Sequence, residues 1–151
     1  MSEYLFAYGT LQPDHAAEEI APVVAKFRPV GKGHVRGRLY DLGEYPGAIL
    51  SSSSRSRISG TVFRLPDDPA VLRKLDDYEG FDPHDSVASL FVRRIHPVVM
   101  SQGRRLPCWV YVYNGKPEAS RLVSGGSFRK RGVKSARSGR TRSPRATVAN
   151  K

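Results

Sequence analysis

The chain of 151 residues carries 25 lysines and arginines against 14 aspartates and glutamates, a formal net charge of +11. This excess does not by itself indicate a nucleic-acid-binding fold, because residues 1–126 hold 16 basic residues and all 14 acids, whereas residues 127–151 hold nine basic residues and no acid. The length suits one domain with a substantial core, and the single cysteine, Cys108, excludes an internal disulfide.

The first predicted element is a buried strand over Tyr4–Tyr8, which Gly9 ends before a turn at 11–14. Backbone amides released at such a turn need another acceptor, and a substrate carboxylate or oxyanion would serve. An ordinary strand end is the simpler alternative. Asp14 is placed to cap a short helix over His15–Ile20, whose regularity Pro22 limits.

Three strand patterns follow. The first covers residues 27–42, and its glycines at 31, 33 and 37 are typical of a bent or bulged strand. A short strand is predicted over Ala48–Leu50, and another over Ile58–Leu65 after a polar loop.

The clearest helix signal lies between Asp68 and Gly80. Asp68 is a typical N-cap, Pro69 suits the first helical position, and Gly80 suits the C-terminal cap. Beyond this helix, strand-like runs at 87–100 and 104–113 flank Ser101-Gln102-Gly103 and indicate a hairpin. Many strands with few helices in irregular order favour an α+β domain built on a small mixed β-barrel with short flanking helices.

The apolar pattern ends near Ser124-Gly125-Gly126. We therefore expect one domain over residues 1–128 and a basic, disordered tail over 129–151, since its Arg/Lys/Ser/Gly composition cannot supply a core. Such a tail suits weak, nonspecific contact with nucleic acid, and an inert solvated tail is the alternative.

The predicted helix carries one anomaly. At about 100° per residue, Val71, Leu72, Leu75 and Tyr78 share an apolar arc, and Glu79 falls inside it. A carboxyl group held toward a core has a raised pKa, as a general acid/base requires. The alternative is a frayed helix end with Glu79 in solvent. Asp76 lies at the edge of the arc, where we expect a cap or a salt bridge.

Several short motifs, in this order, resemble the gamma-glutamylcyclotransferase-like family. The motifs that carry the resemblance over residues 3–128 are Tyr8-Gly9-Thr10-Leu11, Gly37-Arg38-Leu39-Tyr40-Asp41-Leu42, Tyr45-Pro46-Gly47, Leu75-Asp76-Asp77-Tyr78-Glu79-Gly80, Trp109-Val110-Tyr111-Val112-Tyr113 and Ser124-Gly125. The resemblance implies a small mixed barrel whose cavity lies between the first turn and the glutamate, and an enzyme that cyclises a gamma-glutamyl group to 5-oxoproline and releases an amine.

The resemblance also implies roles for particular residues. Tyr8, Gly9, Thr10 and Leu11 would bind a small gamma-glutamyl substrate, Glu79 would be the catalytic acid/base, and Tyr113 would line the cavity. The substrate's own α-amine attacks its γ-carbonyl, so the reaction needs a base and an oxyanion site but no protein nucleophile, metal or cofactor. Phe91 departs from the family pattern, in which tyrosine is common at this position.

Other readings stay open at this point. The main alternative is a non-catalytic binding module of the same fold whose basic tail contacts nucleic acid or another anionic partner. Ser51–Ser54 with His34 or His84 would make a weak nucleophile-and-base pair, and Arg38 could hold a substrate carboxylate or a structural ion pair. We expect a cytoplasmic protein, because no apolar run has the length of a signal-peptide core or a membrane span.

Overall fold

The computed structural model describes residues 3–9 and 17–127, which form an α+β fold of six strands and short helices. The strands are β1 (Tyr4–Ala7), β2 (Arg28–Asp41), β3 (Pro46–Leu50), β4 (Arg57–Arg64), β5 (Phe91–Met100) and β6 (Arg105–Tyr113). The helices are α1 (Ala21–Val24) and α2 (Pro69–Glu79), followed by two 3₁₀ turns at Ala119–Arg121 and Ser124–Gly126.

Five of the strands close into a barrel. They follow the order β2-β4-β1-β6-β5, and β5 pairs back onto β2 to complete the ring, while β3 extends the sheet from β2. The pairing of β1 with β6 is parallel, through Leu5 and Trp109, and the other pairings are antiparallel. The predicted small mixed barrel is thereby confirmed.

Alternation along the strands divides the apolar side chains between two layers. On β1, Phe6 and Tyr8 point into the barrel, whereas Leu5 and Ala7 point outward beneath the helices. The barrel interior also holds Val35, Leu39, Ile58, Val62, Val98, Met100, Cys108 and Val110. The outer layer holds Val24 of α1, Leu75 of α2 and the partners that they cover, including Phe27, Phe63, Phe91 and Tyr111.

The boundaries of α2 agree with the prediction. The Asp68 carboxylate accepts a hydrogen bond from the Ala70 amide at 3.0 Å, and Pro69 is the first helical residue. At the other end, Gly80 adopts φ +74°, which costs glycine little, and its amide bonds back to the last turn. The predicted bulge in β2 is also confirmed, as a register shift against β4 between Pro29 and Gly31.

Two predicted boundaries were wrong, and the first is that of the short helix predicted over His15–Ile20. The structure has a turn at residues 18–20, and the helix comes after it, at Ala21–Val24, with Pro22 in its first turn, where the missing amide of proline costs nothing.

The strand predicted from Val87 begins instead at Phe91. Side chains hold the preceding loop: Ser89 accepts from the Asp82 amide at 2.8 Å, and the Asn114 amide group donates to the carbonyl oxygen of Ser89 at 2.9 Å.

Some predictions fall on residues outside the described part of the chain. These are the Thr10-Leu11 turn, the Asp14 cap and the basic tail with its boundary near residue 128. Within residues 3–9 and 17–127, neither α1 nor α2 is long and apolar enough to cross a membrane.

Candidate active site

The last turn of α2 buries two carboxylates. Asp76 is 5% exposed and Glu79 is 4% exposed, and their spacing of three residues places them on one helix face. The sequence prediction that Glu79 belongs to the buried arc is confirmed, and it does not face solvent. Its role in catalysis stays a prediction, since burial alone does not distinguish a catalytic acid from a structural one.

Asp76 is held by side chains of the β5–β6 hairpin. The Arg93 guanidinium donates from Nε to Oδ1 at 2.7 Å and from Nη2 to Oδ2 at 2.9 Å, a bidentate pair. The Tyr111 hydroxyl also donates to Oδ1, at 2.7 Å. The expected salt-bridge role of Asp76 is therefore confirmed, and its oxygens are engaged in fixing α2 against the sheet.

Two aromatic rings lie close to the guanidinium of Arg93. The Trp109 ring centroid lies 4.2 Å from Cζ and the Phe81 centroid lies 5.6 Å from it. Burial acts to lower the pKa of Arg93, but the hydrogen bond and charge of Asp76 outweigh it and the net shift is upward. Arg93 is thus a fixed cation paired with Asp76.

Tyr111 links the end of α2 to the end of β1. Burial is the main cause that raises the pKa of its phenol well above the ordinary value, and the charges of Asp76 and Glu79 raise it further. The phenol therefore stays protonated and acts as a hydrogen-bond donor. Its backbone carbonyl in turn accepts a hydrogen bond from the Tyr8 hydroxyl, and this one residue of β6 connects the two predicted halves of the site.

Tyr8 and Gly9 are placed against β3. The buried Tyr8 hydroxyl accepts from the Ala48 amide at 3.2 Å while donating to Tyr111, so its oxygen is engaged by backbone on both sides. Gly9 lies so close to Pro46 that an added Cβ would come within 2.7 Å of the Pro46 Cγ. Only glycine fits this approach without a shift of the proline. Thr10 and Leu11 lie outside the described residues.

Tyr113 stands two residues beyond Tyr111 on the same face of β6. Its ring packs edge-on against Phe91 at 5.7 Å, and Phe91 packs against Tyr45 at 6.0 Å. Gly47 lets Tyr113 approach β3, since a Cβ there would lie 3.0 Å from the Tyr113 Cβ. The side chain of Phe91 is buried in this aromatic wall and carries no hydroxyl, which is the departure from the family pattern noted in the sequence.

Arg93 and Tyr111 are the two residues that sequence reasoning did not assign. Tyr111 was marked only as part of an aromatic motif, and the alternation of Trp109, Tyr111 and Tyr113 could have indicated one aromatic face of a strand. Nothing local identifies Arg93, because its partner lies 17 residues away on α2.

The weaker candidates lie elsewhere. Arg38 is exposed on β2, where it lies opposite Ile49 of β3, and Ser54 bonds to backbone at Gly37 and Ser56. Burial raises the pKa of the Cys108 thiol to about 12, which leaves it a poor nucleophile.

A surface cavity of about 710 Å³ lies at the beginning of α2, lined by Lys26, Arg28, Arg64, Asp67, Asp68 and neighbouring residues. Leu72 is the lining residue furthest along α2, and Glu79 lies seven residues beyond it, about 10 Å at 1.5 Å per residue. The cavity contains none of the predicted site residues and its charged lining groups are exposed. We therefore place the candidate site at the end of α2 and not in this cavity.

Comparison with solved structures supports the fold. An AIG2-like protein from Mus musculus matches with 20% identity and a TM-score of 0.65, over 85% of this chain and 88% of that one. A gamma-glutamyl cyclotransferase matches with 16% identity and a TM-score of 0.56, over 78% of this chain and 69% of that one. YkqA from Bacillus subtilis matches with 20% identity and a TM-score of 0.62, over 85% of this chain, which spans 40% of that protein.

Identities this low show the fold alone, and no curated protein matched the chain. A family model gives the stronger finding. The model described as gamma-glutamyl cyclotransferase, AIG2-like, matches residues 5–130, which include all of β1 except Tyr4, as well as α2 and the β5–β6 hairpin. The chain belongs to the gamma-glutamyl cyclotransferase, AIG2-like family.

Proposed function

We propose that the protein converts a small gamma-glutamyl amine or peptide into 5-oxoproline and a free amine, with Glu79 as the acid/base. The observation that carries this proposal is the burial of the Glu79 carboxyl, 4% exposed, beside a second carboxylate that is already paired with Arg93. Membership of a cyclotransferase-like family supports the class of reaction, and the substrate and the residue roles are our inference.

The reaction needs no external nucleophile. The substrate's α-amine nitrogen attacks its γ-carbonyl carbon, and a five-membered lactam forms as the bond from that carbon to the leaving nitrogen breaks. Glu79 accepts the proton that the attacking amine loses and returns it to the leaving nitrogen, so one carboxyl group serves both steps. Atoms and charge balance without a second reactant.

The negative charge that develops on the carbonyl oxygen requires donors. We assign this task to the backbone of the motif Gly9-Thr10-Leu11, which the family resemblance implies for substrate binding and whose last two residues lie outside the described part of the chain. The close packing of Gly9 on Pro46 supports a fixed position for the start of this motif. Tyr8 would orient the motif through its two backbone hydrogen bonds, and Tyr113 would line the cavity with its ring.

The test is release of 5-oxoproline by the full chain from a panel of gamma-glutamyl amines, amino acids and isopeptides. Glu79→Gln keeps the size of the side chain and removes its basicity, and we expect turnover to fall by a factor of about 10² or more. The matched control is Asp77→Asn, an exposed acid on the same helix, which should leave turnover unchanged. Thermal melting of both variants checks the fold.

Two results would contradict the proposal. Undiminished turnover in a folded Glu79→Gln protein would remove Glu79 from the mechanism. No 5-oxoproline from any member of the panel would instead favour the binding-module alternative, in which the same fold holds a ligand without converting it.

A further inference from the structure

The outer surface of the barrel is covered unevenly. Helices α1 and α2 pack over the sides of β1, β6 and the end of β4, whereas neither of these described helices covers the outward positions of β2. Val35 and Leu39 of β2 point into the barrel, so the even-numbered positions around them point outward. Those outward positions include Lys32, Arg36 and Arg38, and all three are exposed.

Neighbouring strands add more positive charge to the same surface. Arg57 of β4 pairs in register with Arg36, so the two arginines lie side by side on the outer face. His34 pairs with Val99 of β5, and Val99 pairs with Arg105 of β6. We call this surface the basic strip; it consists of Lys32, Arg36, Arg38, Arg57 and Arg105 around His34.

The barrel strands themselves contribute almost no negative charge. No aspartate or glutamate occurs at positions 20–40, 45–66 or 86–117, so the barrel strands are free of acids except for Asp41 at the end of β2. The pKa of His34 is lowered, first by burial and then by the charges of Arg57 and Arg36. Arg57 and Arg36 therefore lie close enough to His34 to disfavour a further positive charge there.

The described chain also ends beside the strip. Val123 donates its amide to the Leu39 carbonyl at 2.8 Å, and Gly126 is packed onto the backbone of Arg57, where an added Cβ would come within 1.9 Å of the Arg57 carbonyl oxygen. Residues 128–151 continue from this point with nine lysines and arginines and no acid. This basic segment is therefore joined to the described part of the chain at a point next to the strip.

We propose that the basic strip is a docking surface for the phosphodiester backbone of nucleic acid, without recognition of bases. Four of its five permanent cations are arginines, whose planar fork suits phosphate oxygens. The strip lies on the outer wall of a barrel, which suits an extended polyanion better than an enclosed small anion. The exposed large apolar side chains of the described residues, Val87, Ile95 and Leu122, are not members of the strip, so it lacks the apolar anchor of a membrane-binding surface.

The experiment measures binding of the full chain to a labelled oligothymidylate of about 20 nucleotides, by fluorescence anisotropy, between about 50 and 200 mM salt. The strip variant combines Arg36→Gln, Arg38→Gln and Arg57→Gln. The control variant removes three exposed cations elsewhere, with Arg73→Gln, Lys74→Gln and Lys116→Gln. Both variants have the same net charge and both retain the tail.

Each phosphate contact contributes about 0.7 to the slope of log affinity against log salt for a single strand. We expect the strip variant to lose about 2 from this slope and to bind at least about tenfold more weakly at 50 mM salt, whereas the control variant keeps most of the wild-type slope and affinity. Equal losses in the two variants would show a nonspecific charge effect and overturn the proposal.

Two further outcomes would also overturn it. Unchanged binding by the strip variant would mean that residues 128–151 alone make the contact. Binding to phosphatidylserine-containing vesicles, with none to the oligonucleotide, would make the occupant a lipid surface. Release of 5-oxoproline by the strip variant should match that of the wild type, so a failure here is distinct from a failure of the Glu79 mechanism.

Discussion

The buried pair between Asp76 and Arg93 allows a quantitative prediction. Arg93→Met keeps most of the length of the side chain but leaves the Asp76 carboxylate, 5% exposed, without its cation. Breaking a buried pair from one side costs about 3–5 kcal/mol. We expect Arg93→Met to lower the free energy of unfolding by that amount.

The partner substitution should cost less. Asp76→Asn preserves the size of the side chain and an acceptor for Tyr111, and it leaves an arginine that is 14% exposed and still stacked on Trp109. Loss of hydrogen bonds to a charged group predicts a cost of about 1.5–3 kcal/mol. In the double variant neither charge of this pair remains, so its cost should be smaller than the sum of the two by at least about 1 kcal/mol.

Urea unfolding measures all four proteins of this cycle. Circular dichroism follows the whole fold, and the fluorescence of Trp109, the one tryptophan in the sequence, follows the immediate surroundings of Arg93. Single-variant costs that add within about 0.5 kcal/mol would refute the reasoning, because they would mean that the two charges do not depend on each other.

Two other predictions concern single groups. Tyr8→Phe removes a buried hydroxyl that donates to the Tyr111 carbonyl and accepts from the Ala48 amide. We expect it to lower the free energy of unfolding by about 1–3 kcal/mol in the same urea assay. A change under about 0.5 kcal/mol would mean that these two hydrogen bonds do not stabilise the fold. Arg57→Gln should raise the pKa of His34 in an NMR titration, because burial and then the charges of Arg57 and Arg36 lower that pKa in the wild type. Since the folded pKa lies below the ordinary value of 6.5, the wild-type protein loses stability as the pH falls below 6.5 and His34 becomes protonated. The variant should lose less stability over the same pH range. An unchanged His34 pKa would show that Arg57 does not act on it.

Local signals in the sequence account for α2. Asp68, Pro69 and Gly80 each act within one turn of the helix end, so their effect on the chain does not depend on the rest of the fold. The arc of apolar residues likewise predicted the burial of Glu79 from helical periodicity alone. The barrel was predicted only as a class, because strand order depends on pairings between distant segments.

The unpredicted parts depend on such distant contacts. The beginning of β5 is delayed by hydrogen bonds from Asn114, which lies beyond the hairpin, and no pattern near Val87 contains that information. No local pattern in the sequence identifies the roles of Arg93 and Tyr111 either. Their places at the end of α2 follow from the register of β5 on β6, in which Arg93 faces Tyr111 across the strands. Sequence reasoning singled out Tyr8, Gly9 and Glu79, whose roles stay predictions, but not the two residues that lie between Tyr8 and the end of α2.

The positions of Asp76 and Glu79 have an electrostatic consequence. Both acids lie in the last turn of α2, where the partial negative charge of the helix end disfavours carboxylates. Arg93 stacks on Trp109 and forms a bidentate pair with Asp76, which offsets this cost at Asp76. Asp76 in turn accepts a hydrogen bond from the Tyr111 phenol, whose pKa the charge of Glu79 helps to raise.

Asp76 is thus a positioning residue, and its loss should mainly lower stability, whereas the loss of Glu79 should mainly lower turnover. Comparison of Asp76→Asn with Glu79→Gln separates the two roles. A folded Asp76→Asn protein with the larger loss of kcat would reverse the assignment and make Asp76 the acid/base.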